Sequence, residues 1–330
     1  MFNSPLHERD TDGKPQEKLT RSQLTGETPM KRRKFIEHVG WTGLGIVWAV
    51  GENGLLTACH TNALQKSSSA APLSFVQISD THIGFNKPAN EHVTDTLQKA
   101  ITAINALPVQ PAFVVHTGDI SHLSKPAEFD LAKQLLSQLK APLFTLPGEH
   151  DTIGDRGKAY EEAFSRKDVK EGLQVWDQGG VHFVSLTNVL DFGDTGAGKL
   201  GQAQLDVLAK DLAALKQDTP LVIFSHIPLY DLYPKWGWAT ADSAQLLSLL
   251  SRFTSVTVLT GHIHQIIEHN EGNIRFHTAT TTAYPLPSPG NGEKPAPVTL
   301  PENNLLAVLG FRTVEVIPHQ NIKLAQYSLG

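Results

Sequence analysis

The stretch Leu73–Gly84 reads LSFVQISDTHIG, and its two halves differ in character. Its first six residues form an apolar run of strand length, and a polar Ser79-Asp80-Thr81-His82 follows at once. In open α/β sheets, ligands bind in the crevice beyond the carboxyl ends of such strands. A carboxylate and an imidazole two residues apart in that crevice suit Zn, Mn or Fe. One such pair also fits an ordinary turn after a strand, so the assignment depends on repetition of the pattern.

The same pattern recurs along the chain, with an apolar strand followed directly by carboxylate or imidazole groups. Two strands precede Asp119 and Glu149-His150-Asp151, and two later strands precede His226 and His262-Ile263-His264. Apolar residues at helical spacing separate these strands and predict helices over residues 91–107, 126–139, 202–215 and 241–253. Alternating strands and helices, with polar groups always at strand ends, predict a layered α/β fold.

Further elements complete the predicted domain. A short helix is expected over residues 157–166, and Gly179-Gly180 predicts a hairpin between residues 173–175 and 181–189. Residues 274–279 and 305–317 are predicted strands. Between them, residues 284–301 are rich in Pro and Gly and predict a long loop.

Length and composition bound the class of protein. The chain has 330 residues, enough for one large α/β domain with a leader, and 40% of them are apolar. The net charge of −5 argues against nucleic-acid binding through a basic face. Cys59 is the single cysteine, which excludes an intrachain disulfide and a multi-cysteine zinc site. Histidine, with 15 residues, is abundant.

The first 72 residues have the character of a leader. Residues 1–29 are polar and predict a disordered extension, although Met30 could equally be the start. Residues 30–59 resemble a bacterial twin-arginine signal: Arg32-Arg33 precedes an apolar run too short to span a bilayer. The segment ends in Leu56-Thr57-Ala58-Cys59, which resembles a lipobox with Cys59 as the lipidated residue; a chance cysteine is the alternative. Residues 60–72 predict a flexible tether before the domain at 73–330.

This leader predicts the location of the protein and two of its partners. Export machinery would engage the signal, and a membrane would hold the lipid on Cys59. We therefore expect a lipid-anchored protein on the periplasmic side of a bacterial membrane.

The five strand-end blocks together resemble the calcineurin-like metallophosphoesterase family, whose pattern is D-x-H, G-D, G-N-H-D/E, H and G-H-x-H. The resemblance covers Leu73 to Thr280. It implies a four-layer α-β-β-α sandwich of two mixed β-sheets flanked by helices. It also implies two divalent or trivalent metal ions (Mn, Fe or Zn) that activate a water for attack on phosphorus.

The resemblance also implies a role for each matching residue. His150 would act on the phosphoryl group as an acid or charge stabiliser, with Asp151 orienting it. Asp119 would bridge both metals. Asp80, His82 and His264 would hold the first metal, and His226 and His262 the second. The complete predicted set of metal ligands is Asp80, His82, Asp119, Glu149, His226, His262 and His264.

Glu149 departs from the family pattern, which has Asn at this position. Asn offers a neutral carbonyl oxygen, whereas Glu offers a longer, charged carboxylate. Glu149 would either ligate the same metal, or re-tune the site for another metal or substrate, or mark a site without turnover.

The resulting functional prediction is an exported hydrolase of small phosphoesters, with a phosphodiesterase favoured over a phosphomonoesterase. The alternative is a metal-binding accessory or sensing lipoprotein with little turnover, which rests on Glu149 alone. The sequence leaves other residues open: His122 is either near the metals or on the surface, and His116 and His182 are expected to be structural. Four aromatic residues after His226 would form either a substrate wall or lid packing: Tyr230, Tyr233, Trp236 and Trp238.

Overall fold

The computed structural model describes residues 49–50, 56–57, 72–164, 168–193, 195–317 and 322–330. Within residues 1–67, strands β1 (Ala49–Val50) and β2 (Leu56–Thr57) pair antiparallel; all other elements lie in residues 68–330. The predicted extension, the tether up to residue 71 and Cys59 lie outside the described residues, as does most of the signal segment. Across the described ranges, no helix is long and apolar enough to cross a membrane.

In the described part of residues 72–330, thirteen more strands and six α-helices follow in chain order. They are β3 (Leu73–Ile78), α1 (Val93–Asn105), β4 (Val114–His116), α2 (Pro126–Leu136), β5 (Leu143–Thr145), α3 (Lys158–Ala163), β6 (Gln174–Gln178), β7 (Val181–Ser185), β8 (Asp191–Phe192), β9 (Gly198–Lys199), α4 (Gln202–Ala213), β10 (Leu221–Ser225), α5 (Ser243–Leu250), β11 (Val256–Thr260), β12 (Glu268–Glu271), β13 (Ile274–Thr278), α6 (Glu302–Val308), β14 (Gly310–Val316) and β15 (Lys323–Ser328).

Eleven of the strands form two mixed sheets, while β8 and β9 pair only with each other. The first sheet has the order β15-β14-β3-β4-β5, in which β3, β4 and β5 run parallel and β14 is antiparallel to both of its neighbours. The second has the order β12-β13-β11-β10-β7-β6, with four parallel strands between two antiparallel edges. The parallel strands of each sheet therefore deliver their carboxyl ends to a common edge.

Strand alternation explains how the two sheets and the helices form four layers. In β3, Phe75 faces the second sheet while Val76 and Ile78 face the helices that cover the first sheet. In β10, Phe224 faces the first sheet and Ile223 packs with α4 and α5. Because successive strand side chains point to opposite faces, each fully apolar strand fills two cores at once. The predicted four-layer sandwich is confirmed.

The core between the sheets is rich in aromatic rings. Phe75 stacks on Phe113 with ring centroids 4.7 Å apart, and it meets Phe183 and Phe224 edge-on at 5.7 and 5.8 Å. Stacked and edge-on pairs are the arrangements that the ring quadrupole favours. These contacts fix the spacing of the two sheets directly below the edge where the predicted site residues lie.

The structure corrects the predicted elements near the C-terminus. The strand predicted for residues 305–317 is helical in its first part, because α6 occupies Glu302–Val308 and only β14 is extended. Pro301 directly precedes α6, and Glu302 lies in its first turn, which are typical features of a helix start. The edge strands β12 and β15 were not predicted, since exposed polar residues dominate them and give no apolar pattern.

Candidate metal centre

The structure brings the seven predicted metal ligands together at one edge of the sandwich. Asp80 and His82 follow β3, Asp119 follows β4, and Glu149 opens a short 3-10 turn after β5, all in the first sheet. The second sheet contributes the remaining three, which follow β10 and β11: His226, His262 and His264.

Backbone conformation at this edge is unusual. Five of these residues adopt left-handed φ values: Asp80 (54°), His82 (42°), Asp119 (54°), His262 (71°) and His264 (54°). Each such conformation costs roughly 1–3 kcal/mol and persists only where the surrounding structure holds it. The strand ends therefore turn sharply to direct their polar side chains into one cluster.

A first group of ligand atoms contains Asp80, His82 and His264. The Nε2 atom of His264 lies 3.3 Å from Oδ1 of Asp80 and 3.2 Å from Nε2 of His82. All three side chains are buried, and their ligand atoms lie close enough to share one ion. The Nδ1–H of His264 donates to the carbonyl of Tyr284 at 2.5 Å, which leaves Nε2 free as a ligand.

A second group contains Glu149, His226 and His262. Glu149 lies between the two imidazoles, with Oε2 2.8 Å from Nε2 of His226 and Oε1 2.9 Å from Nδ1 of His262. The Nδ1–H of His226 donates to the carbonyl of Thr117 at 2.7 Å, which again leaves Nε2 as the ligand atom. Glu149 therefore lies where the family pattern has an Asn ligand.

Asp119 connects the two groups. Its Oδ2 atom lies 3.5 Å from Nε2 of His82 in the first group and 3.5 Å from Nε2 of His226 in the second. Its other oxygen, Oδ1, accepts a hydrogen bond from the backbone N–H of His150 at 2.9 Å. One carboxylate oxygen thus faces both groups, as a ligand shared by two ions requires.

The residues fit a pair of cations. Oε2 of Glu149, Nε2 of His226 and Nδ1 of His262 are buried yet lack a well-aligned hydrogen bond, so they converge on shared space. Burial, together with the nearby His150 and His264, holds the pKa of His82 well below its usual value, so its imidazole is neutral and available to a metal. Mixed carboxylate and imidazole ligands suit Mn, Fe or Zn.

The pKa of His226 also indicates that this site favours positive charge. Its burial lowers the pKa, but the charges of Asp119 and Glu149 outweigh it and raise the pKa well above its usual value. A proton on this imidazole partly compensates the crowded carboxylates when no cation is bound. Metal binding would displace that proton.

His150 borders the two groups without belonging to either of them. Its Nδ1–H donates to the carbonyl of His122 at 2.6 Å, and its ring stacks on the ring of His122 with centroids 5.0 Å apart. Burial lowers the pKa of His150, but Asp119 and Glu149 raise it to a net value above the ordinary one. The structure therefore places a proton-bearing imidazole beside the metal ligands, although its ligand atom is also within reach of Asp119 and Glu149.

Asp151 has a different position from the one predicted. Its buried carboxylate accepts hydrogen bonds from the backbone N–H groups of Ile120, Ser121 and Gly148 at 2.7–3.0 Å, and from the hydroxyl of Ser121 at 2.9 Å. It ties the turn after β4 to the turn after β5, and the carbonyl of His122, not Asp151, holds the ring of His150. Burial and the neighbouring Asp119 raise the pKa of Asp151 to about 6.

Three other histidines were considered in the sequence: the position of His122 was left open, and His116 and His182 were expected to be structural. His122 lines the cavity beside His150 and is only partly buried, which favours the position near the metals. His116 is fully buried and bonds Thr81 at 3.1 Å, and burial lowers its pKa to about 3. His182 lies between Asp177 and Asp211, at 2.9 Å from each. These two carboxylates hold the ring of His182, whereas Nδ1 of the buried His116 has no hydrogen-bond partner among the described residues. The structural roles of His116 and His182 stay predictions.

Sequence reasoning missed the two carbonyl groups that orient ligand histidines, those of Thr117 and Tyr284. No residue type marks a backbone acceptor, so the sequence carried no signal for them. Tyr284 also stacks on His82, with ring centroids 4.9 Å apart. An aromatic residue at the start of the Pro-rich loop was the only available hint.

Five of the seven predicted metal ligands line one side of a cavity of about 500 Å³: His82, Asp119, Glu149, His262 and His264. Its other side is largely apolar and comes from three loops of the second sheet and one residue after β3. These residues include Phe85, Phe192, Ile227, Trp236, Trp238 and Leu286.

Comparisons with known proteins agree with this geometry. The model of the calcineurin-like phosphoesterase family matches residues 73–266. A protein of Rhodopseudomonas palustris named "Probable cyclic nucleotide phosphodiesterase" is 25% identical over 219 residues, which cover 62% of this chain and 76% of that one. A serine/threonine-protein phosphatase of Mus musculus is 28% identical over 228 residues, covering 59% and 70%.

A solved structure shares the fold. The dimetal phosphatase of Danio rerio superposes with a TM-score of 0.57 over 78% of this chain and 96% of that one. The sequence identity is 14%, so this likeness concerns the arrangement of layers and strands alone.

Proposed function

Because this chain belongs to the calcineurin-like phosphoesterase family and is a metallophosphoesterase, we propose that its substrates are phosphodiesters. The relatives leave this choice open, since one is named a phosphodiesterase and another a phosphatase. The position of Glu149 between His226 and His262 carries the proposal.

Charge is the reason that Glu149 matters. Asp80, Asp119 and Glu149 place three carboxylates around space for two cations. With two divalent ions, a net charge of about one positive unit remains, whereas a neutral Asn would leave about two. A phosphodiester carries one negative charge and a monoester nearly two, so the diester loses less attraction at this site.

Two cations bound by these residues would polarise the phosphoryl oxygens and lower the pKa of a water molecule. His150 would supply the proton that the departing alkoxide needs, because the charges of Asp119 and Glu149 outweigh the effect of burial and raise its pKa, which favours the protonated imidazole. Its bond to the carbonyl of His122 fixes which ring nitrogen remains to face the substrate. Asp151 holds both turns in register, so that His150 and Asp119 keep their relative positions.

The test is turnover by metal-loaded protein. We expect kcat/KM for bis(4-nitrophenyl) phosphate to exceed that for 4-nitrophenyl phosphate, and we expect Asp119→Ala to abolish both activities. A preference for the monoester would contradict the proposal. Tight metal binding without any turnover would instead support the metal-binding accessory role.

We also propose that the protein is exported and lipid-anchored. Support comes from the sequence alone, through Arg32-Arg33, the short apolar run after it and Cys59 after small residues. The metal pair is proposed to be Mn or Fe rather than Zn at the second group, because Glu149 adds a hard anionic ligand there.

A further inference from the structure

The apolar side of the cavity is formed by aromatic residues that lie next to the second ligand group. We define the aromatic wall as Phe192, Trp236 and Trp238, which line the cavity together with His262 and Glu149. The ring of Trp238 lies edge-on to the ring of His262, with centroids 6.4 Å apart. The wall thus begins at a predicted metal ligand and extends toward the mouth of the cavity.

Trp236 and Trp238 are held in place from several directions. Trp238 is buried, and its backbone pairs with Tyr233 through N–H···O bonds of 3.0 and 3.2 Å in both directions. Trp236 meets Trp238 edge-on at 5.0 Å and meets Tyr233 at 5.1 Å. Its indole N–H donates to the carbonyl of Glu293 at 3.2 Å, which joins this turn to the Pro-rich loop. The indole position is therefore fixed before any ligand binds.

Phe192 differs because it has no such cover. Its side chain is 42% exposed although it lines the cavity, and it stands on the two-residue strand β8. An aromatic ring at the mouth of a cavity gains contact area when a second apolar group enters.

The described lining of the cavity contains no Lys or Arg that would bind further anions. Its polar lining residues are histidines, Tyr284 and the carboxylates of Asp119 and Glu149. When a ligand carries an additional phosphate or carboxylate group, Arg or Lys side chains of the protein usually bind it. A substrate with a second anionic group would find no partner here and would face carboxylates.

From this arrangement we infer that the substrate is a phosphodiester with a neutral aromatic or heteroaromatic group, which packs on Phe192 and Trp236, and with no second phosphate. This inference rests on the proposed function, since the phosphoryl group must lie at the metal ligands. Trp236 would contact the organic group and so affect which substrates bind. It would take no part in the reaction, which involves the groups around His150. Trp236 and Trp238 are then part of a substrate wall, the first of the two alternatives that the sequence left open. Tyr230 packs on Phe276 in the core instead, and neither Tyr230 nor Tyr233 is among the described lining residues.

The test uses ligands that cannot be hydrolysed and that differ only in the organic group. Benzyl(methyl)phosphinate and ethyl(methyl)phosphinate each carry one negative charge and no ester bond. Titration calorimetry on the Mn-loaded protein should give a dissociation constant on the order of tenfold lower for the benzyl compound, the usual scale of one stacked ring. A 4-carboxybenzyl analogue should lose that gain, because no cationic side chain meets it.

Variants locate the effect. Trp236→Ala and Phe192→Ala should each reduce the benzyl preference, whereas Trp236→Phe should retain most of it. Tyr327→Ala is the matched control, since Tyr327 is an exposed aromatic residue on β15 away from the cavity. In turnover, the Trp236→Ala change should raise KM for aryl diesters and leave kcat nearly unchanged.

The outcomes separate this inference from the function on which it rests. Equal binding of the benzyl and ethyl compounds, or a preference that survives both Ala variants, would overturn the inference even if diesters are hydrolysed. A benzyl preference that the Ala variants remove would support it. If the same protein did not hydrolyse any diester, the proposed function would fail while the ligand class inferred for the cavity would stand.

Discussion

At the residue scale, a substitution of Glu149 has an electrostatic effect whose direction can be predicted. Burial would raise its pKa, but the charges of His262 and His226 hold that pKa well below its usual value. The side chain is therefore a carboxylate at neutral pH and adds a full negative charge to the centre.

We predict that Glu149→Asn tightens inhibition by inorganic phosphate on the order of tenfold, which corresponds to about 1.4 kcal/mol of Coulomb energy. The ratio of monoesterase to diesterase kcat/KM should rise as well, because the dianion gains more from the lost charge. Metal content is measured in both proteins as the control. Equal metal content with unchanged phosphate inhibition would show that the charge argument is wrong.

His150 gives a second prediction, since it contacts the centre without being one of the seven predicted ligands. His150→Ala should retain both metals and lose about 10²–10⁴-fold in kcat, the usual range for a lost general acid. Elemental analysis and single-turnover kinetics measure the two effects. His92→Ala, an exposed histidine at the start of α1, is the control. Metal loss in the His150 variant, or an unchanged kcat, would refute the role.

The clustering of these polar residues at one edge could be predicted from the sequence for a physical reason, while their role as metal ligands stays a prediction. Each of them follows an apolar strand at once, so Asp80, Asp119 and His226 could be placed at one sheet edge from spacing alone. The orientation of His150 could not be predicted in this way. A backbone carbonyl, that of His122, holds its ring, while the adjacent acidic side chain of Asp151 turns to three backbone N–H groups instead.

At the element scale, the turns after β4 and β5 approach each other closely at Gly148 and Asp119. A Cβ atom at Gly148 would overlap the carboxylate and the backbone nitrogen of Asp119. The φ of Gly148 is −99°, which any residue adopts, so space rather than backbone strain requires glycine here. The two turns are thus packed against each other at Asp119, which is predicted to be a ligand of both ions.

We therefore predict that Gly148→Ala moves Asp119 and weakens binding of both metals, with a loss of about 1–3 kcal/mol in the free energy of unfolding from overpacking. Metal titration and denaturant unfolding measure these effects. Gly154→Asn is the control, because no atom lies within 4 Å of its Cβ position and Asn tolerates its φ of 80°. Normal metal affinity in the Gly148 variant would disprove this view of the turns.

The same scale shows where pattern reasoning ends. Buried strands such as β10 and β11 are continuous apolar runs and were predicted with nearly correct bounds. The segment Leu305–Val308 is equally apolar but belongs to helix α6. Periodicity alone cannot distinguish such a short buried helix from a strand. Local capping signals around Pro301 were the better guide there.

At the scale of the whole molecule, the proposed location of the protein rests on residues before the domain. We predict that changing Arg32 and Arg33 to Lys leaves the protein in the cytoplasm, and that Cys59→Ala releases it from membranes or stalls its processing. Cell fractionation and fatty-acid labelling measure the two effects. The lipid anchor would be excluded if the Ala variant remained with membranes unchanged and the wild-type protein carried no fatty-acid label.

The two ligand groups each take members from both sheets, and this has a consequence for how the protein is made. In the first group, His264 comes much later in the chain than Asp80 and His82. In the second group, His226 and His262 come later than Glu149. Neither group is therefore complete until β11 has been synthesised and has joined the second sheet. Metal binding by either of these two groups would thus come late in biosynthesis, after both sheets have formed. If the protein leaves the cytoplasm folded, the metal supply of the compartment of synthesis, and not that of the destination, decides which ions it carries.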